Sequence, residues 1–110
     1  MKLSDLEARL VKITDNSYTF VDSLPEAQGL ILLCPGCFRK LGTNVGCHSL
    51  ILWAAGRGVP DSKLPGPGRW KFDGTSLQDL TLNAMPPNQA RSIQVGGCWH
   101  GYIDNGDAHD

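Results

Sequence analysis

The sequence holds 110 residues, 41% hydrophobic and 19% charged, with a formal net charge of −1. A chain of this length and composition is expected to fold as one globular domain, residues 1–110, with a modest core. The near-neutral balance, without a run of Lys or Arg, speaks against nucleic acid or an anionic membrane surface as partner. No apolar stretch is long enough to span a bilayer; the longest, Gly29 to Cys34, is far too short. The opening Met1-Lys2-Leu3-Ser4-Asp5-Leu6-Glu7 is amphipathic and acidic, unlike a secretory leader. A cytoplasmic address is expected, and with it reduced cysteines rather than disulfides.

Residues 1–14 are expected to form an N-terminal helix. Ser4 and Glu7 have capping-box spacing, and Leu3, Leu6, Leu10 and Ile13 recur at helical intervals. Asp15-Asn16 ends that segment as a turn, because short polar side chains bond their own backbone there. Residues 15–107 then read as a β-rich core. Tyr18 to Val21 is aromatic and β-branched, a short strand. Leu24 to Gly29 is a connection holding one helical turn, with proline at its start and glycine at its end. Gly29 to Cys34 is a continuous apolar run, the pattern of a strand buried on both faces. Phe38 to Gly46 reads as a loop, and His48 to Trp53 resumes a strand. Gly56 to Gly68, rich in Gly and Pro, is a long surface loop.

Arg69-Trp70-Lys71-Phe72 alternates, with Trp70 and Phe72 inward, and Asp73-Gly74 turns. Thr75 to Leu80 fits one helical turn capped by Thr75 or Ser76; Thr81-Leu82 is extended. Met85-Pro86-Pro87-Asn88 breaks the chain. Arg91 to Val95 alternates, Gly96-Gly97 bends or bulges the strand, and Trp99 to Ile103 continues it. Asp104-Asn105-Gly106-Asp107 carries the Asn-Gly signature of a tight turn, and Ala108-His109-Asp110 reads as a frayed end. The fold class is α+β and β-rich: a small antiparallel sheet with an N-terminal helix, pinned by a zinc knuckle.

The knuckle is Cys34-Pro35-Gly36-Cys37, followed by Cys47-His48, with Cys98-Trp99-His100 far along the chain. Two cysteines separated by Pro-Gly supply two thiolates from one turn, as tetrahedral zinc requires. The rival reading, a redox dithiol, needs the motif to open a helix beside a βαβ unit, whereas a strand before it and a glycine-rich loop after it are expected. His48 is the third expected ligand. Cys47 beside it would point to the opposite face of an extended chain, so only one of the two faces the metal. Cys98 and His100 lie two apart and share a face, so either or both could reach the ion. The expected set is Cys34, Cys37, His48 and Cys98, with His100 as the alternative fourth ligand or alongside. Trp53, Trp70 and Trp99 read as core, and Asp73, Asp79, Asp104 and Asp107 as turn-capping acids. No HExxH, P-loop, GxGxxG or GxSxG is present, which counts against an enzyme and leaves no catalytic residue to name.

Several stretches together resemble a family of small phage and prophage proteins of unknown function. They are Met1 to Leu6, Leu33 to Phe38, His48-Ser49, Pro65 to Trp70, Gly74 to Leu82 and Cys98 to Gly106. Members often carry a label connecting them to ammonia monooxygenase, although no segment here is long and apolar enough for such a membrane oxidase. The resemblance implies a compact, β-rich, zinc-binding domain without an established activity. It also implies that His48 outranks Cys47, which relatives replace by threonine, and it leaves Cys98 against His100 open. The functional expectation is a structural-zinc accessory protein that binds a host or phage protein in the host cytoplasm. Two alternatives remain: a zinc hydrolase with an open coordination site near His100, and a zinc-ribbon-like nucleic-acid binder, which the charge disfavours. Oligomeric state is left open.

Overall fold

The computed structural model describes residues 1–65, 68–85 and 90–110. Within them, β1 (Arg9–Thr14) and β2 (Ser17–Val21) form a hairpin closed by Asp15-Asn16, with Thr14 opposite Ser17. The helix expected over residues 1–14 is not formed. Leu3–Leu6 makes a single 3₁₀ turn, Glu7 takes a left-handed φ of 53°, and the chain is extended from Arg9. Lys2, not Ser4, precedes that turn, and no side chain caps it. The leucine spacing that fits a helix also fits a buried turn followed by a strand. Val11, Ile13 and Thr14 are β-branched, and β1 finds pairing partners on both sides, which decides for the strand.

A 3₁₀ turn at Leu24–Glu26 leads into β3 (Gly29–Leu33), which lies between β1 and β4 (Ser49–Ala54). Leu30 and Leu32 are fully buried on one face of this central strand, while Ile31 and Leu33 on the other are half-buried, so the burial expected on both faces is complete on one. β5 (Arg69–Asp73) and β6 (Thr81–Asn83) complete a six-stranded sheet in the order β2-β1-β3-β4-β5-β6. This sheet is mixed, not antiparallel: Trp53 and Ala54 of β4 pair in parallel with Arg69 and Trp70 of β5. The long Gly/Pro-rich connection after β4 carries the chain back to the same end, which a parallel neighbour demands. Trp70 and Phe72 point inward from β5, as their alternation implies. The Gly66-Pro67 part of that connection, and the break expected at Pro86-Pro87-Asn88, lie outside the described residues.

A second sheet has three strands, β7 (Ile93–Val95), β8 (Trp99–Asp104) and β9 (Asp107–His109), in the order β7-β8-β9. Asn105 and Gly106 adopt φ of 48° and 75°, the left-handed pair of a two-residue hairpin turn. Ala108-His109-Asp110 is not frayed. Ala108 is fully buried, and its carbonyl and amide bond the backbone of Met1. Thr75 to Leu80 forms a turn rather than a helical turn. The Asp79 carboxylate accepts from the amides of Thr75 and Ser76 at 2.8 Å each, and the Ser76 hydroxyl accepts from the Gln78 amide at 3.3 Å, so an acid caps this turn alongside the expected serine. Leu3, Leu6, Leu24, Leu80, Leu82, Ile93 and Ile103 fill the core beside β3.

The segment after Cys34 holds the one α-helix among the described residues, α1 (Pro35–Leu41), where a loop from Phe38 is expected. Pro35 presets φ at the first helical position, and Gly42 closes the end with a φ of 70°. Arg39 and Lys40 fall in the last turn, where cations suit the helix dipole.

Candidate metal centre

Backbone pairing builds one half of the site. Leu33 of β3 faces Ser49 of β4, and the Cys34 amide donates to the His48 carbonyl at 2.9 Å. The end of β3 and the start of β4 therefore bring Cys34 and His48 side by side. Cys34 caps α1, and Cys37 projects from its first turn. The other half is the hairpin between β7 and β8. Val95 pairs with Trp99, the Cys98 amide donates to the Val95 carbonyl at 2.8 Å, and Gly97 turns with a φ of 72°. Gly96-Gly97 thus reverses the chain rather than bulging one strand, and Cys98 stands at the tip.

Gly36 is what lets the halves meet. A Cβ there would stand 2.0 Å from the Cys98 carbonyl oxygen and 3.2 Å from Trp99 Cβ. Only a hydrogen fits between α1 and the hairpin at this point.

The Cys98 sulfur lies 3.1 Å from the sulfurs of both Cys34 and Cys37, and Cys37 Sγ lies 3.2 Å from His48 Nδ1. All four donor atoms fall within 4.8 Å of one another. Zinc bound at about 2.3 Å by sulfur and 2.0 Å by nitrogen spans a tetrahedron with edges of about 3.5–3.8 Å, so the donors bracket that figure. The sulfurs stand well beyond the roughly 2.05 Å of a disulfide, and all four cysteines are free. Cys34 is buried, Cys37 and Cys98 are half-buried, and His48 is exposed, so the cluster sits at the surface with Cys34 on its inner side.

The Cys98 thiol, bonded to Cys37 first and then to Cys34, is pushed up to about 12. Cys37 is held below its ordinary value, chiefly because it accepts from Cys98. The hydrogen bonds thus favour a thiolate at Cys37 and oppose one at Cys98. A divalent cation at their centre removes that opposition, because a metal-bound thiol is deprotonated outright. These four residues could hold a metal ion such as zinc.

Cys47 does not join them. Its sulfur donates to the Thr43 carbonyl at 3.2 Å, and burial together with nearby Cys37 and Cys34 raises its thiol. His100 is also outside the cluster: it lies exposed on β8, opposite Gln94, next to a buried Trp99. Cys98 precedes β8 in the hairpin turn, so the shared face expected of residues 98 and 100 does not exist. The helix after Cys34 does supply the setting a redox dithiol would use, contrary to the expected loop. β3 and β4 are nevertheless antiparallel, not a βαβ unit, and a third sulfur and an imidazole crowd the pair. The geometry is that of a four-donor set.

Trp53, Trp70 and Trp99 are buried, each with its N–H bonded: to the Leu64 carbonyl, the Arg91 carbonyl and the Asp110 carboxylate respectively. Arg39 of α1 grips both oxygens of the Asp110 carboxylate, at 2.7 and 3.1 Å, tying the helix that carries Cys37 to the end of β9. No spacing in the sequence signals that pair. Compared with protein-family models, curated proteins and solved structures, the chain matches none. Among the described residues no helix is long and apolar enough to cross a membrane.

Proposed function

We propose that Cys34, Cys37, His48 and Cys98 hold one structural zinc ion. On this reading the chain is a small accessory protein of phage or prophage type that acts by binding a host or phage protein. The convergence of three thiols and one imidazole from the two ends of the fold carries the metal assignment. Four protein donors complete a tetrahedral shell, and the set contains no carboxylate. Zinc hydrolysis needs a coordination position for water and a group to take its proton, and this donor set provides neither. The formal charge of −1 supports a protein partner over nucleic acid, whose phosphates select for a basic surface. The phage assignment draws on the sequence resemblance.

Because Cys98 lies 64 residues from Cys34 and 61 from Cys37 along the chain, an ion that joins them turns its binding energy into folding energy. The test is a thermal melt with and without a strong chelator, alongside elemental analysis of the purified chain. About one zinc per chain and a melt that collapses on chelation are expected. A metal-free protein whose melt ignores the chelator would remove the reading. Affinity capture of a specific host or phage protein by the zinc-loaded chain, lost on chelation, tests the partner half.

A further inference from the structure

The open strand edges of this fold differ in one respect. On β6, the Arg91 Nε–H donates to the Leu82 carbonyl. On β9, Met1 to Leu3 run alongside and bond Ala108 and Gly106. β7 faces β4 across a cleft lined by Leu50, Ile51, Trp70 and Ile93. β2 ends the six-stranded sheet with nothing beside it among the described residues.

The ladder shows which groups of β2 are free. Thr14 and Ser17 flank a two-residue turn, so they exchange hydrogen bonds, and the alternation continues through Lys12–Thr19 and Leu10–Val21. The far side of β1 agrees: the Val11 carbonyl and the Ile13 amide point away from β2 and bond Gln28. The amides and carbonyls of Tyr18 and Phe20 therefore face outward. Their side chains are 41% and 53% exposed, and β2 carries no Lys, Pro or other charge to block an approaching strand.

We infer that β2 pairs antiparallel with β2 of a second copy of this chain, about a two-fold axis through Thr19. Of the two-fold registers that set outward residues opposite outward residues, this one forms the most backbone bonds within Ser17–Val21. Tyr18 falls opposite the partner's Phe20, and Phe20 opposite the partner's Tyr18, so both outward residues meet outward residues and four backbone hydrogen bonds form. The side chains, already 6.3 Å apart by ring centroid within one copy, become a four-ring cluster flanked on each side by Arg9, which lies 4.0 Å over Phe20. Charge placement suits the two-fold as well. Asp22 falls opposite the partner's Asn16, and Asp15 opposite the partner's Ser23, so no acid confronts an acid.

Two short strands bury less than the roughly 1,200–2,000 Å² of a standard interface, which puts the dimer at the weak, concentration-dependent end. Sedimentation of the purified chain from about 10 μM to 1 mM should show monomer giving way to dimer. Hydrogen exchange across that range should slow at the Tyr18 and Phe20 amides severalfold, while Thr19, bonded to β1, is unaffected. Phe20→Lys and Tyr18→Lys, each at an exposed position, should weaken association at least tenfold while both variants still melt cooperatively, Phe20→Lys somewhat lower because it loses the Arg9 contact. Val45→Lys, at another exposed apolar position, should leave association unchanged. A chain still monomeric at 1 mM overturns the proposal and leaves the edge to a strand from a different protein. A dimer that survives both lysine variants, or that leaves the Tyr18 and Phe20 amides unprotected, overturns it equally.

Discussion

Replacing Gly36 by alanine sets two physical effects against each other. Gly36 is the second residue of α1, and helix propensity alone favours alanine by up to about 1 kcal/mol. The new Cβ would stand 2.0 Å from the Cys98 carbonyl oxygen and 2.9 Å from its carbon. Both are backbone atoms, so no side-chain rotation relieves the contact. Reaching the 3.0 Å below which such contacts are essentially never seen moves the hairpin by about 1 Å. Overpacking of this kind costs about 1–3 kcal/mol, and Cys98 would leave its 3.1 Å contacts with Cys34 and Cys37. Metal distances tolerate only about 0.2 Å, so zinc affinity should fall about tenfold or more. The net expectation is a loss of about 1–2 kcal/mol, a melting temperature lower by about 4–8 °C, and easier removal of zinc by a competing chelator. Gly96→Ala is the control, because nothing lies within 4 Å of a Cβ there. A Gly36→Ala protein that melts higher than the parent and holds zinc as tightly would refute the account of how α1 meets the hairpin.

Cys37→Ser should abolish stoichiometric zinc, whereas Cys47→Ser, whose sulfur reaches only the Thr43 carbonyl, should keep it; equal loss in both would contradict the geometry. A pH effect is expected away from the Cys/His cluster, at His109 Nε2 and Asp104 Oδ2, which are 2.6 Å apart. The Asp104 bond raises His109 above its ordinary 6.5, and the His109 bond lowers Asp104 below its ordinary 3.8. The His109 contribution is complete below about pH 6.5 and fades as pH rises through its folded value. That of Asp104 is complete above about pH 4 and fades as pH falls through its own. The pair therefore stabilises most between about pH 4 and 6.5, by no more than about 1 kcal/mol because both side chains are over a third exposed. An NMR titration of His109 should show the raised midpoint, and Asp104→Asn should return it toward 6.5; an unshifted His109 would remove the effect.

How much of this was legible beforehand depended on whether a signal was local. The apolar run from Gly29, the Arg69 to Phe72 alternation and the Asn105-Gly106 turn carry their conformations in adjacent residues, and the fold honours them. The grouping of Cys34, Cys37, His48 and Cys98 is legible because Cys and His are rare residue types that fall into few places in the chain. The first fourteen residues are ambiguous in the sequence because Leu3, Leu6, Leu10 and Ile13 satisfy a helix and a turn-plus-strand alike. Only the partners on each side of β1 separate the two. α1 was hidden by the glycines after it, which end the helix instead of preventing it. The last residues looked frayed because their partner, Met1, lies at the other end of the chain. Choosing between Cys98 and His100 needed the hairpin turn, which puts Cys98 off the strand that carries His100.

X-ray absorption at the zinc edge of the purified protein tests the central claim most directly. A first shell of three sulfurs near 2.3 Å and one nitrogen near 2.0 Å, with no oxygen, is the expected result. A shell that holds a water or hydroxide oxygen in place of one of these ligands, or a protein that retains no zinc at all, would contradict it.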